Sequence, residues 1–393
     1  MAWLKPLAYS VTGLLLAGVT GFLTLGPGLV ERGQNRLPEH DPWPVSPRAA
    51  ALHKSLTIGD WHADSLMWNR DLLQRGTRGH VDFPRLAAGN VAVQMFTTVT
   101  KSPADLNYQT NSANARDNIT LLSIAQLWPM RTWTSRTERA LYQAQKLQAF
   151  QRRAPETLRI LRDRNDLAQL LAARAAGKPL IGAMLGAEGG HALDGDLKNL
   201  DRLYAAGFRL MGLTHFFDNA LGGSLHGTSN AGLTPFGRQV VQAMVQRGMI
   251  IDLAHASLKM DEEVLDMVDV PVIVSHTGIY SHCQIKRNIP DALMQRIAAK
   301  GGLIGIGFWK DVTCDATPDG VAKTIRAAID LVGVGHVSLG SDFDGAIEAR
   351  FDVSELAALT DALLRQGLSE ADIAKVMGGN MMGFLARALP EKS

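Results

Sequence analysis

Six short apolar runs in this sequence are each followed by a histidine or a carboxylate, the side chains that bind hard metal ions and move protons. His62 and Asp64 stand two apart, so an extended backbone points both to one face. Glu188 follows the run 180–185, His215 the run 209–214, His255 the run 249–253 and His276 the run 270–274. Asp342 and Asp344 follow the run 336–340. Singly, each has an ordinary explanation. A histidine in an apolar run is commonly a hydrogen-bonded core residue, and an aspartate after Gly-Ser commonly a turn or helix cap. Gathered in one place they would be buried, unpaired charges, which a packed core does not tolerate without a metal.

Imidazole and carboxylate without thiolate suit zinc best, with manganese or iron as alternatives. The two cysteines, Cys283 and Cys314, cannot build a zinc site, and a bridge between them is optional. Five ligands exceed what one open catalytic zinc takes and fit two ions that share one ligand. Glu188 suits the bridge, since one carboxylate can give an oxygen to each ion. Asp342 is then left as the acid/base that handles the proton of the nucleophilic water. His191, His226 and His282 read as loop residues, and His40, His53, His80 and His336 as structural or solvated.

Positioning such a set requires strand ends that converge. The runs 57–60, 91–96, 180–185, 209–214, 249–253, 270–274, 303–308 and 336–340 are short and β-prone, and helical stretches such as 236–247 and 291–300 separate them. Eight βα units predict an α/β fold, a (β/α)₈ TIM barrel, in which catalytic groups sit at the C-terminal ends of the strands. The longest gap, between the second and third runs, predicts extra helices at 114–125, 137–152 and 154–176. A tail helix follows Ser369.

At 393 residues and 46% hydrophobic, the chain has enough material for one such barrel without a second domain. A formal net charge of +2 and no basic run exclude a nucleic-acid partner. Residues 6–30 contain no charged side chain, enough helix to cross about 30 Å of hydrocarbon. They end without an Ala-x-Ala cleavage site, which favours an uncleaved anchor over a signal peptide. The expected division is an N-terminal membrane anchor or signal segment over 1–35, a Pro-rich linker over 36–50, and the hydrolase barrel over 51–393. The barrel is expected on the far side of the cytoplasmic membrane, held there by a single transmembrane span.

In the order of their segments, Asp60-Trp61-His62-Ala63-Asp64, Gly186-Ala187-Glu188-Gly189-Gly190-His191, Leu213-Thr214-His215 and Gly232-Leu233-Thr234-Pro235-Phe236-Gly237 are followed by four more. These are Ile251-Asp252-Leu253-Ala254-His255-Ala256-Ser257, Val274-Ser275-His276, Arg287-Asn288-Ile289-Pro290-Asp291 and Gly340-Ser341-Asp342-Phe343-Asp344-Gly345. The ordered set, spanning about residues 58 to 384, resembles the membrane dipeptidase (renal dipeptidase) family of zinc peptidases in the amidohydrolase superfamily, in its bacterial form. The resemblance implies a dipeptide substrate, two Zn²⁺ per chain and attack by a metal-bridged water. It implies His62 and Asp64 on one ion, His255 and His276 on the other, and Glu188 bridging. His215 would hydrogen-bond the scissile carbonyl, Arg287 would clamp the C-terminal carboxylate with its planar fork, and Asp342 would pass the proton to the leaving amine. A homodimer is compatible with this reading.

The chain departs from the family at Trp61 and Ala63, where Gly and Asn are usual, and from its mammalian pattern in the loop 216–224, which resembles that of bacterial members. These departures bear on side-chain specificity and leave the metal set intact. Two rival readings keep the barrel: a hydrolase of lactones or other amides, which needs no Arg287 clamp, and an inactive ligand-binding protein, which would have no use for Asp342.

Overall fold

The computed structural model describes Gly18 and residues 20–391. Its strands are β1 (Ile58–Ala63), β2 (Val91–Thr98), β3 (Leu158–Ile160), β4 (Ile181–Ala187), β5 (Phe208–Gly212), β6 (Ile250–Asp252), β7 (Ile273–Thr277), β8 (Leu303–Ile306) and β9 (Val337–Leu339). All pairings are parallel, and eight strands close a barrel in the order β1-β2-β4-β5-β6-β7-β8-β9, with β9 returning to β1. Each expected run falls on one barrel strand. The first was placed too short: β1 continues to Ala63, so His62 lies inside the strand and not after it.

The insertion between β2 and β4 differs from expectation at one point. Helices form at Asn118–Ala125 and Arg136–Arg153, but the helix expected over 154–176 is split. Leu158–Ile160 forms β3 and pairs with residues 181–183 of β4, ahead of β5, which pairs with β4 from Leu185 onward. The helix resumes at Arg164, where Asp163 caps it by accepting from the Asp166 backbone N–H. Elsewhere the same chemistry starts the helices. Thr234 accepts from Gly237 N with Pro235 in the first turn, and Ser257 accepts from Met260 N.

The core has two parts. One packs the outer helices on the barrel. The other gathers Trp61, Val93, Met95, Met184, Leu210, Ile250, Ile273 and Leu303 from the strands with Met381, Phe384 and Leu385 of the last helix, Asn380–Ala388. Trp61 meets Phe384 edge-on at 5.6 Å between ring centroids. Asn380 donates to the Val334 and Val337 carbonyls at the start of β9. At Gly378 a Cβ would come within 2.0 Å of the Thr57 carbonyl, so only glycine lets this segment approach the start of β1. The C-terminal helix thus supports the strand starts, opposite the chemical residues.

The expected membrane segment, residues 6–30, lies mostly outside the described residues. Among the described residues no helix is long and apolar enough to cross a membrane. The described end of that segment corrects the expectation. Gly26–Gln34 is a helix laid on the barrel beside Asn118–Ala125, with Pro27 and Glu31 buried. Glu31 is 1% exposed, its Oε1 lies 2.5 Å from Arg70 Nε, and its other oxygen pairs with Arg78. Two guanidiniums around one buried carboxylate tie this helix to the barrel. Residues 36–46 run without helix or strand pairing beyond one bridge, as a Pro-rich linker should, yet they are docked and not a free tether. Arg36 exchanges backbone hydrogen bonds with Ile347 and Ala349, Trp43 Nε1 donates to the Arg350 carbonyl, and Ser46 N donates to Asp361. Helix then begins at Pro47, capped by Ser46.

Candidate metal centre and active site

The ends of β1, β4, β5, β6, β7 and β9 bring His62, Asp64, Glu188, His215, His255, His276 and Asp342 into one space. Glu188 is its centre. Its Oε1 lies 3.4 Å from His62 Nε2, 3.3 Å from His255 Nε2 and 3.5 Å from His276 Nε2, and its Oε2 lies 3.4 Å from His215 Nε2. His62 Nε2 is 3.6 Å from Asp64 Oδ1 and 3.8 Å from Asp342 Oδ1. Three overlapping triads have all their ligand atoms within 4.8 Å of one another: His62–Asp64–Glu188, Glu188–His215–His255 and His62–His276–Asp342. The first matches the expected ligands of one ion. In the second, His215 stands where a ligand could stand.

The backbone is bent to achieve this. His255 and Asp342 sit at φ 66° and 61°, left-handed conformations that non-glycine residues adopt at a cost of about 1–3 kcal/mol and that concentrate at functional sites. Gly189, directly after Glu188, has φ 101°, and a Cβ there would come within 2.5 Å of His191 Nδ1. Gly345 is more than the turn residue its position suggests, since a Cβ on it would reach Asp342 Oδ1 at 2.0 Å.

A second layer fixes the rings. Ser275 Oγ lies 2.8 Å from His276 Nδ1 and 3.2 Å from His62 Nδ1, leaving both Nε2 atoms directed at Glu188. Thr97 donates to Asp64 Oδ1 at 2.6 Å. Asp60, buried beneath, accepts from Ser341 N at 2.8 Å and Ser341 Oγ at 2.5 Å, joining β1 to the turn that carries Asp342. Reasoning from strand ends missed Asp60, Ser275 and Thr97. Asp344 is separated from this cluster. It accepts from Ser65 Oγ at 2.6 Å and from Arg70 Nη2 at 2.5 Å, and it holds the turn against His80. Burial alone would raise its pKa, but Arg70 and His80 outweigh that and hold it below the usual carboxylate value.

The donor set fits a divalent cation. His62 Nε2 is buried with no hydrogen-bond partner, and the Nε2 atoms of His255 and His276 face each other at 3.0 Å. At most one proton can lie between two such nitrogens, so lone pairs from the histidines and carboxylates converge with too few donors to satisfy them. The electrostatics agree. Burial, with Asp64 adding to it, raises the Glu188 pKa well above its ordinary value. Burial raises Asp342 to about 8, against the opposing pull of His62 and with Asp64 reinforcing it. Burial alone would lower His62, but Glu188 and Asp64 reverse this and bring it to about 10. Burial lowers His215 to about 4. The cluster is short of positive charge, which is what a metal brings.

Arg287 lines the same cavity from the loop after β7. Its Nη2 donates to the His276 carbonyl at 2.9 Å, its guanidinium carbon lies 5.6 Å from the centre of the Trp309 ring, and Nη1 is buried without a partner. Cys283, in the same loop, is joined to Cys314 after β8 by a disulfide with S–S 2.04 Å, so the bridge that composition left optional is formed. Of the loop histidines, His191 and His226 are buried behind His215 and Phe216, and His282 is exposed; none lines the cavity. Tyr108, Phe216 and Trp309 do, and no strand-end pattern marks them.

Comparison with known proteins places the chain. Dipeptidase tcpJ of Claviceps purpurea is 30% identical over 321 residues, covering 78% of this chain and 69% of that protein. Dipeptidase aclJ of Aspergillus oryzae is 34% identical over 215 residues, covering 52% of this chain, which spans about half (51%) of that relative's length. Among solved structures, a metallopeptidase from Rhodobacter sphaeroides liganded with a phosphinate mimic of the dipeptide L-Ala-D-Ala superposes with a TM-score of 0.68 at 23% identity, over 85% of this chain and 99% of that one. The model of the membrane dipeptidase family, peptidase family M19, matches residues 46–389, nearly all of the barrel and every residue of the cluster around Glu188. With that match the chain belongs to the membrane dipeptidase family and is a metal-dependent peptide-bond hydrolase.

Proposed function

We propose that the protein is a dizinc dipeptidase, located outside the cytoplasm, that cleaves short peptides bearing a free C-terminal carboxylate. The observation that carries this reading is Arg287: a buried guanidinium with an unpartnered N–H, opening into the same cavity as the carboxylates and imidazoles. A planar cation held there suits a substrate carboxylate. That the Rhodobacter sphaeroides structure holds a dipeptide mimic supports the same substrate class here.

His62 and Asp64 would hold one ion, His255 and His276 the other, and Glu188 both. Bound there, the ions would supply Lewis acidity toward the scissile carbonyl and a nucleophilic water near neutral pH. Asp342 would take the proton of that water and pass it to the departing amine, standing 3.8 Å from His62 Nε2 at the mouth of the cluster. His215 is neutral at pH 7, and with its proton on Nε2 it donates to the oxygen that becomes negative as the carbonyl is attacked. Its Nδ1 contact with the Lys101 carbonyl is long, at 3.4 Å, and competes weakly for that proton. The disulfide supports an oxidising compartment.

A panel of L-L and L-D dipeptides, their N-blocked and C-amidated forms, and simple lactones, with zinc added, tests the reading. Turnover of dipeptides with a free carboxylate, and loss of most of it on amidation, is expected. Lactone hydrolysis without dipeptide hydrolysis would overturn it.

A further inference from the structure

The cavity above the cluster around Glu188 is larger and more apolar than two small residues need. It measures about 670 Å³, within the range of about 300–1,000 Å³ that holds drug-sized ligands. Its floor is the chemical cluster. Its outer wall is Met67, Trp68, Leu106, Ile119, Leu121 and Leu122, from the loops and helix that follow β1 and β2. The N-terminal segment completes that wall. Phe22, Gly26, Val30 and Gln34 recur every four residues, so one helical face looks into the cavity. Phe22, Leu121 and Leu106 are 49%, 47% and 41% exposed, large apolar side chains left open beside an active site.

The barrel order says which half of the substrate meets this wall. Arg287 follows β7, four strands from β2 and three from β1 around the ring. A peptide with its carboxylate on Arg287 and its scissile bond over Glu188 and Asp342 therefore directs its amino-terminal half toward the apolar wall. We infer that the physiological substrate carries a large apolar group, a long side chain or an acyl chain, on the amino-terminal side of the scissile bond, and that the helix Gly26–Gln34 with Phe22 forms part of its binding site. This rests on the dipeptidase reading.

The test is a series of dipeptides with C-terminal Ala whose first residue lengthens from Ala through norleucine to 2-aminodecanoic acid, with N-octanoyl-Ala-Ala as a second arm. Zinc-loaded full-length protein should gain up to about fourfold in kcat/KM for each methylene buried. The double variant Phe22→Ser, Leu121→Ser should lose about tenfold or more on the long substrates and leave Ala-Ala unchanged. A gain only in the N-octanoyl arm identifies the group as an acyl chain, and a gain only in the first arm as a side chain. Equal rates across both arms, or unaltered preference in the double variant, would overturn the inference while Ala-Ala turnover keeps the dipeptidase reading. Absence of turnover for every peptide would instead remove that reading.

Discussion

Asp342→Asn should reduce turnover by about a hundredfold or more while both metal ions stay bound, because general acid–base transfer contributes about 10²–10⁴-fold in rate. The substitution removes the proton-exchanging group but keeps shape and polarity. Three features make Asp342 the group at stake. It sits 3.8 Å from His62 Nε2, it is held in a left-handed backbone conformation by a turn that Asp60 and Ser341 tie to β1, and burial raises it to about 8. Single-turnover kinetics with metal analysis of the same sample checks the prediction. Loss of a metal ion in the variant would make Asp342 a ligand, in line with the His62–His276–Asp342 triad, and would reassign its role.

Arg287→Lys should raise KM for dipeptides about tenfold to a hundredfold with a smaller change in kcat. Charge-assisted hydrogen bonds are worth about 1.5–3 kcal/mol, and an ammonium cannot present the two parallel N–H groups of the fork. Trp309 beneath the guanidinium and the His276 carbonyl at 2.9 Å fix the fork in place. C-terminally amidated dipeptides should be poor substrates of the parent enzyme and should show little further loss in the variant. Equal KM for free and amidated substrates in the parent would remove the clamp.

The eight strands and the residues at their ends were legible because both signals are local. A buried parallel strand must be an apolar run, and a chemical residue must follow it closely. What escaped was set by contacts distant in sequence. Glu31 looked like the polar flank of a membrane segment until Arg70 and Arg78 enclosed it, and the Pro-rich stretch looked like a tether until Arg36 met Ile347. Residues 158–160 lie among good helix formers and become a strand only because the edge of β4 stands open beside them. Asp60 and Ser275 are ordinary strand residues by type. Their importance comes from Ser341 and His62, brought near only when the barrel closes. The resemblance assigned the ligand pairs, and the distances bring all of those residues together but also group His215 with Glu188 and His255.

Metal content measured together with activity tests the central claim most directly. Chelator-stripped full-length protein titrated with zinc should recover activity as the second equivalent binds and level at two ions per chain, and Glu188→Gln should hold neither ion firmly. Full activity at one ion per chain, with no further gain from a second, would contradict the shared-ligand centre built on Glu188.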